Sequence, residues 1–410
     1  MAIIGGGPSG LMAAEILVEA GFKVDLYEAM PSVGRKFLMA GKGGLNISNS
    51  DSNDVFLSKI YGQSKLMKSV IDGFTPSDVR EWLSGLGIET FVGSSGRIFP
   101  TDMKAAPLLR KWLHRLRAAG VNFHMYHKWL GWDETNTQQL IFNVKGERLE
   151  INVNAVVLAL GGASWPKLGS TGEWVPILTM QNVLISPLRP SNCGFDAIWS
   201  DYFRNRYSGQ PLKSVSVSVS RKKGKDIRHK GELIVTEYGL EGGVIYTLSA
   251  ILRDEIAESG YVMIYLDLIP NIDKAMVINK ISQDRGKQSM ATHLRKKLGI
   301  DGVKAGLIRE LVQASCFSNV EQLCTLIKSM PIKLVAARPI EEAISTAGGV
   351  ELTALDNNLM IINKPSVFCA GEMLDWEAPT GGYLLTTCLS LGRAAGLGVI
   401  ASLDLRIGDI

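Results

Sequence analysis

Cysteine is scarce in this chain of 410 residues. The five thiols, Cys193, Cys316, Cys324, Cys369 and Cys388, are scattered and form no C-x-x-C pair, which argues against a metal cluster or redox dithiol and leaves buried free thiols. An excess of one charge is lacking too. The balance of 44 basic and 40 acidic residues leaves +4, too mild for nucleic acid to be expected as the main partner. No charged-then-apolar leader precedes the first strand and no apolar run of about 18 residues stands out, so a cytoplasmic protein that does not span a membrane is expected. The histidines, His114, His124, His127, His229 and His293, lack metal spacing such as H-E-x-x-H. A second G-x-G-x-x-G and a G-x-S-x-G turn are also missing, which argues against a separate pyridine-nucleotide domain and a nucleophilic triad.

The length fits about two to three domains at roughly 150 residues each. Residues 2–4 are apolar, 9–20 have helical spacing and 23–28 read as a second strand, a βαβ start. Thr75-Pro76 signals a helix start, and Leu108, Leu109, Trp112, Leu113 and Leu116 recur at helical spacing within 104–119. Strands are expected at 121–125, 140–144 and 155–160, the last an unbroken apolar run suited to a buried parallel strand.

Past Pro187 and Pro190 the texture changes. "SVSVSVS" at 214–220 alternates with period two, as a half-solvated strand does, and 232–236 is strand-like, so an antiparallel sheet or barrel is expected. Residues 272–328 are helical with breaks near 284–286 and 299–302; a strand-like return starts at Pro331, a short strand falls at 367–370 and a long closing helix at 383–403. The expected class is α/β: a Rossmann-type domain (1–187 with 345–410) interrupted by a β-barrel domain (188–270 with 330–344) that carries a helical insert (271–329).

"GGGPSG" supplies Gly5, Gly7 and Gly10 between a strand and a helix. One glycine makes the tight turn, one lets backbone approach a pyrophosphate and one lets helix pack on strand. Glu28, 18 residues beyond Gly10, stands where a carboxylate bonds ribose hydroxyls. This motif alone leaves NAD or FAD open. "VVLALGGAS" (Gly161, Gly162) and "VFCAGEMLD" (Gly371, Glu372, Asp375) each follow a buried strand, and the long FAD molecule uses several strand ends where NAD would leave these unexplained. "FLMAGKGGLNIS" resembles a P-loop end, but Lys36 and Gly43 stand where the motif needs Gly and Ser or Thr.

The segments "IIGGGPSGLMAA", "GRKFLMAGKGGLNISN", "GRIFPTDMKAAPLL", "LALGGASWPKLGSTGEW", "TEYGLEGGVI", "STAGGVEL" and "FCAGEMLDWEAPTGGYLLTTCLSLGRAAG" occur in this order from end to end. In them the chain resembles the HI0933-like flavoproteins, among them BaiN-like and aminoacetone-oxidase-like proteins. The resemblance implies bound FAD, with Gly5, Gly7 and Gly10, and the intervening Pro8 and Ser9, at the pyrophosphate and Glu28 at the adenosine ribose. It places Arg35 and Lys36 near the phosphates, and Gly371, Glu372 and Asp375 at the pyrophosphate and ribityl region. Thr380, Gly381, Gly382 and Tyr383 would sit by the isoalloxazine, where a helix N-terminus stabilises negative charge. Gly41, Gly43, Gly44 and Asn46 would lie against the flavin. Where many members read S-G-x-G-R-C-N, this chain has Gly44-Leu45 in place of Arg-Cys and keeps Asn46.

Candidate catalytic residues are Lys42, Asn46 and Tyr383; Lys42 is the kind of cation that tunes flavin electronics. Tyr383, Trp376 and Trp165 are weighed as pocket walls against ordinary core aromatics. The leading expectation is an FAD-dependent oxidoreductase working by hydride transfer at flavin N5 on a small molecule, with O2 or NAD(P)H as electron partner. The resemblance points to amines, or alternatively to NAD(P)H-dependent reduction of an unsaturated substrate. A third reading, a flavin-bearing RNA- or partner-binding protein, rests on the basic run at 221–230, which a solvated hairpin explains as well. Nothing in the sequence addresses oligomeric state.

Overall fold

The structure, a computed structural model, describes residues 1–408 except 42, 63, 134–138 and 221–225, with no side chains described at 314 and 404–408. Lys42 and the centre of the basic run, 221–225, thus lie outside the described residues. Contacts divide the chain into two units, Met1–Pro190 with Ile340–Ile410, and Ser191–Pro339.

The first unit is built on a five-stranded sheet of β1 (Ala2–Ile4), β2 (Asp25–Glu28), β3 (Asn122–Met125), β4 (Val156–Leu158) and β5 (Val367–Cys369). Their spatial order is β5-β4-β1-β2-β3, and every adjacent pair is parallel. Strands β1, β4 and β5 are buried at each residue, because a parallel sheet is covered on both faces. β1 leads into α1 (Pro8–Glu19), whose Pro8 occupies the first helical turn, where its missing N–H costs nothing. Two smaller antiparallel sheets, of Ser48–Asn49, Arg97–Pro100 and Thr90–Val92 and of His127–Trp132, Gln139–Val144 and Glu147–Asn152, complete the unit with a two-stranded pair, Ile185–Ser191 and Ser345–Val350.

The helix α2 (Arg35–Ala40) was not expected from the sequence; α3 (Ala105–Ala118) and α4 (Tyr383–Gly408) match the segments expected at 104–119 and 383–403, α4 running on past Leu403, and the predicted start at Thr75 is a full capping box on the helix Pro76–Gly85. α1 and α4 lie at backbone distance: a Cβ on Gly392 would stand 2.2 Å from Ser9 O, and one on Gly396 2.9 Å from Ile16 Cβ. Tyr383–Leu403 is long and apolar enough to cross a membrane by length and composition, which corrects the expectation that no such stretch exists. Its uncharged Thr, Ser, Cys and Gly residues dilute the leucines without adding charge, and 56% of its most apolar window is buried within the fold. A helix that is apolar all round is a feature of core helices and membrane spans alike.

The second unit contains a closed barrel, in the order Phe195–Ala197, Gly239–Glu241, Ile227–Val235, Pro211–Val219, Val262–Asp267 and Met330–Ala337. Between its last two strands run the helices Lys274–Ser282, Met290–Leu298, Gly302–Leu311 and Val320–Lys328, broken near 284–286 and 299–302 as expected and also between Leu311 and Val320, which was not expected. Val215, Val217 and Val219 point into the barrel and are wholly buried. The serine face is less solvated than period two predicts, because Arg228 Nε donates to Ser216 Oγ at 2.8 Å and covers it. Arg228 is further held by Asp267 at 2.7 Å, so this member of the basic run is committed within the barrel. A 17-residue helix, Gly243–Ser259, was not expected from the sequence.

Candidate functional site: a strand-end cavity

The C-terminal ends of β1, β2, β4 and β5 open on one cavity of about 500 Å³, within the size range of ligand sites. Gly5, Gly7, Pro8, Ser9, Glu28, Arg35, Lys36, Gly161 and Glu372 line it, so nine of the sequence candidates converge there.

The three motif glycines divide the work as their spacing suggests. Gly5 has φ +106°, and a Cβ there would stand 2.2 Å from Ala159 O; one on Gly10 would stand 2.0 Å from Gly5 O. Those two let strand, turn and helix touch. Gly7 has nothing within 4 Å of a Cβ, leaving the backbone at the start of α1 bare toward the cavity. A helix N-terminus so exposed is suited to an anion.

Glu28 is held from both sides: Gly6 N donates to Oε2 at 2.8 Å and Met30 N to Oε1 at 2.9 Å. Burial pushes its carboxyl up from the ordinary value, and the two backbone donors and Arg35 pull it back. Each oxygen keeps lone pairs for further donors. On the opposite wall Lys36 Nζ donates to Glu372 Oε2 at 2.7 Å and to Ser164 Oγ at 2.6 Å, while Thr346 N donates to Glu372 Oε1 at 3.0 Å. Lys36 is therefore an ion-pair partner as well as a cavity residue. Arg35 Nε is buried without a hydrogen-bond partner, as is Ser170 Oγ in the same cavity wall.

The remaining described candidates do not line this cavity. Gly10, Gly162 and Gly371 serve close packing; a Cβ on Gly162 would meet Thr346 Oγ1 at 2.2 Å and one on Gly371 Ser9 Oγ at 2.3 Å. Gly41, Gly43, Gly44 and Asn46 belong to the turn after α2, where Leu45 is fully buried core. Asn46 Nδ2 is spent on the carbonyls of Ser48 and Ile98, at 2.8 and 3.1 Å. Asp375 sits beyond the cavity, its N–H donating to Val350 O. Thr380, Gly381 and Gly382 turn into α4 against Ser48–Asn49: Asn49 Nδ2 donates to Gly381 O, and a Cβ on Gly382 would stand 2.2 Å from Ser48 O. Tyr383 is buried, and its hydroxyl donates to Asp51 Oδ2 at 2.6 Å, so its proton is committed to that carboxylate. Burial, then Asp51, pushes its phenol well above the ordinary value. Trp376 is core, donating to Gly371 O, and Trp165 is half-buried outside the cavity wall.

Sequence reasoning missed a whole side of the cavity. His127, Lys128, Trp129 and Leu130 follow β3, and Leu168, Gly169, Ser170, Thr171, Glu173 and Trp174 form a loop opposite. No motif marks His127–Leu130, and although "KLGSTGEW" lies in a segment shared with the family and carries a dense set of turn residues, none of its residues was singled out as a candidate. Cys388 of α4 also lines the wall; burial, then Glu372, pushes its thiol up to about 12. His124 stacks on Tyr27 and His127 packs tilted against it, and His124 Nε2 pairs with Asp25 at 2.9 Å.

Comparisons with known proteins agree with this architecture. The chain is 26% identical to a ribosomal RNA dihydrouridine synthase of Haemophilus influenzae, with 97% of each chain covered. It is 23% identical to a 3-dehydro-bile acid delta(4,6)-reductase of Clostridium scindens, covering 96% of this chain and 97% of the relative. Among solved structures, 3-ketosteroid delta1-dehydrogenase from Sterolibacterium denitrificans superposes with a TM-score of 0.51 at 12% identity, covering 98% of this chain and 99% of that one, a likeness of fold alone. Residues 1–398 match the family described as the HI0933-like protein Rossmann domain. With the seven sequence segments, the strand-end cavity and this match all in agreement, the chain belongs to the HI0933-like flavoprotein family.

Proposed function

We propose that this FAD-binding oxidoreductase is a reductase of a carbon–carbon double bond conjugated with a carbonyl, using NAD(P)H as the electron donor. The cavity fits the cofactor on three structural counts: Gly7 leaves bare backbone at a helix N-terminus, Glu28 keeps acceptor capacity at the end of β2, and Arg35 Nε is a buried donor without a partner. The turn 5–9 would hold the pyrophosphate, Glu28 the adenosine ribose and Arg35 a phosphate oxygen. Lys36 and Glu372, already paired, would present a fixed dipole beyond the phosphates. When bound, FAD supplies a two-electron carrier that accepts and donates hydride at flavin N5.

The direction of reaction rests on one observation. Two relatives covered almost end to end carry names whose substrates share a bond type: uridine becomes dihydrouridine by saturation at a double bond conjugated with a carbonyl, and a delta(4,6)-reductase acts on double bonds conjugated with a 3-keto group. In balanced form, the substrate, NAD(P)H and one proton give the saturated product and NAD(P)+. Among the described residues, no feature of the site favours an amine.

Anaerobic mixing tests the proposal. NADPH or NADH should bleach the flavin band near ~450 nm, and a 4-en-3-one steroid or a uridine-containing ribosomal RNA fragment should restore it without O2. Bleaching by an amine, with none by either nicotinamide, would overturn the reductase reading.

A further inference from the structure

Resting on the FAD reading above, we infer that Ser170 is a cofactor-binding residue that holds the AMP half through its hydroxyl. Ser170 lies in the loop between Leu168 and Trp174 that forms one wall of the cavity, and it is only 7% exposed. Its Oγ is buried and has no hydrogen-bond partner. A buried hydroxyl left unpaired is a net cost to the fold, and in a cavity wall a bound ligand is the partner that would offset it.

The neighbours say which part of the ligand this is. A Cβ on Gly169 would stand 3.9 Å from Glu28 Oε1, so the loop passes beside the carboxylate assigned to the adenosine ribose. On its other side, a Cβ on Gly161, at the end of the β4 strand, would stand 3.4 Å from Ser170 Oγ. The hydroxyl thus sits between the Glu28 carboxylate and the end of β4, where the ribose and adjoining phosphate of the AMP half would pass. A hydroxyl both donates and accepts, which suits a ribose hydroxyl and a phosphate oxygen alike.

The experiment compares wild type with Ser170→Ala, reading FAD and ADP affinity by fluorescence quenching and competition, and the melting temperature of the apoprotein. The substitution should weaken FAD and ADP by the same factor, about fivefold to tenfold, while the apoprotein melts no lower than wild type because an unpaired hydroxyl has gone. Unchanged affinity with a raised apoprotein melting temperature would make Ser170 a mere packing defect and overturn the inference. Weaker FAD with unchanged ADP would also overturn it, by placing the residue away from the AMP half. Ser170→Cys, similar in size but a weaker donor, guards against loss through altered packing and should fall between the two. Failure of wild type to retain FAD would instead strike the underlying cofactor reading.

Discussion

Lys36 Nζ and Glu372 Oε2 lie 2.7 Å apart, although 336 residues separate them in sequence. Their side chains are 28% and 13% exposed, so the pair is screened only in part. Glu372→Gln should lower stability by about 1–2 kcal/mol, since Lys36 loses its counter-charge while keeping Ser164. Lys36→Met combined with it should cost less than the two single changes added together. A double-mutant cycle in denaturant reads this coupling, and strict additivity would show that the pair contributes nothing.

Gly7 and Gly10 separate ligand space from packing space. Gly7→Ala should leave apoprotein stability within about 0.5 kcal/mol, because nothing stands within 4 Å of the added methyl, yet it should abolish FAD retention. Gly10→Ala should destabilise by about 3 kcal/mol, its methyl meeting Gly5 O at 2.0 Å. Absorbance after gel filtration and thermal melts of both variants check the contrast, and equal behaviour would contradict it.

Glu15 is a buried carboxylate on α1 that gathers three partners: Trp112 Nε1 at 2.6 Å, Arg115 Nη1 at 2.8 Å and Trp82 Nε1 at 3.2 Å. It ties α1 to α3 and to the helix Pro76–Gly85. Glu15→Ala strands the Arg115 charge and two indole donors, so a loss of about 3 kcal/mol is expected, seen as a lower melting temperature with FAD affinity little changed. A melt within 2 °C of wild type, against roughly 2–4 °C per kcal/mol for domains of about 150–250 residues and somewhat less for larger ones, would refute the role.

Cys388 should be inert at ordinary pH despite lining the cofactor cavity. With its thiol pushed up to about 12, the reactive thiolate is scarce at pH 8, and alkylation should run on the order of a thousandfold slower than for a free cysteine. The rate should climb only as pH rises toward that value. Mass-spectrometric labelling with iodoacetamide across pH 7–10 measures it, and fast labelling at pH 8 would contradict the burial of this thiol.

The five parallel strands and the closing helix were legible because local sequence displays their apolar runs and helical spacing; for the second unit the period-two alternation left an antiparallel sheet or barrel open, and the resemblance supplied the barrel. The glycine turn and Glu28 were legible because short-range spacing alone brings them to one place. Ser170, on a loop, and His127 and Trp129, on the strand His127–Trp132, were not, since they reach the cavity only through the folding of distant segments. Tyr383 and Asn46 show the reverse: both occupy segments shared with the family, yet the Tyr383 hydroxyl is bound to Asp51 and the Asn46 Nδ2 to backbone carbonyls. Family position therefore located a region, and only the hydrogen bonds separated cavity residues from those that shape the turn behind them.

The close fit of α1 against α4 also has a meaning for synthesis. A ribosome adding roughly 5–20 residues per second takes between about a quarter of a minute and a minute to pass from Lys36 to Glu372, 336 residues later. Throughout that interval the flank of α1 that α4 approaches, at Ser9, Ala13 and Ile16, waits for a helix not yet made. The nascent chain thus carries an uncovered sticky surface for most of its translation, the circumstance in which chaperone engagement matters most for yield.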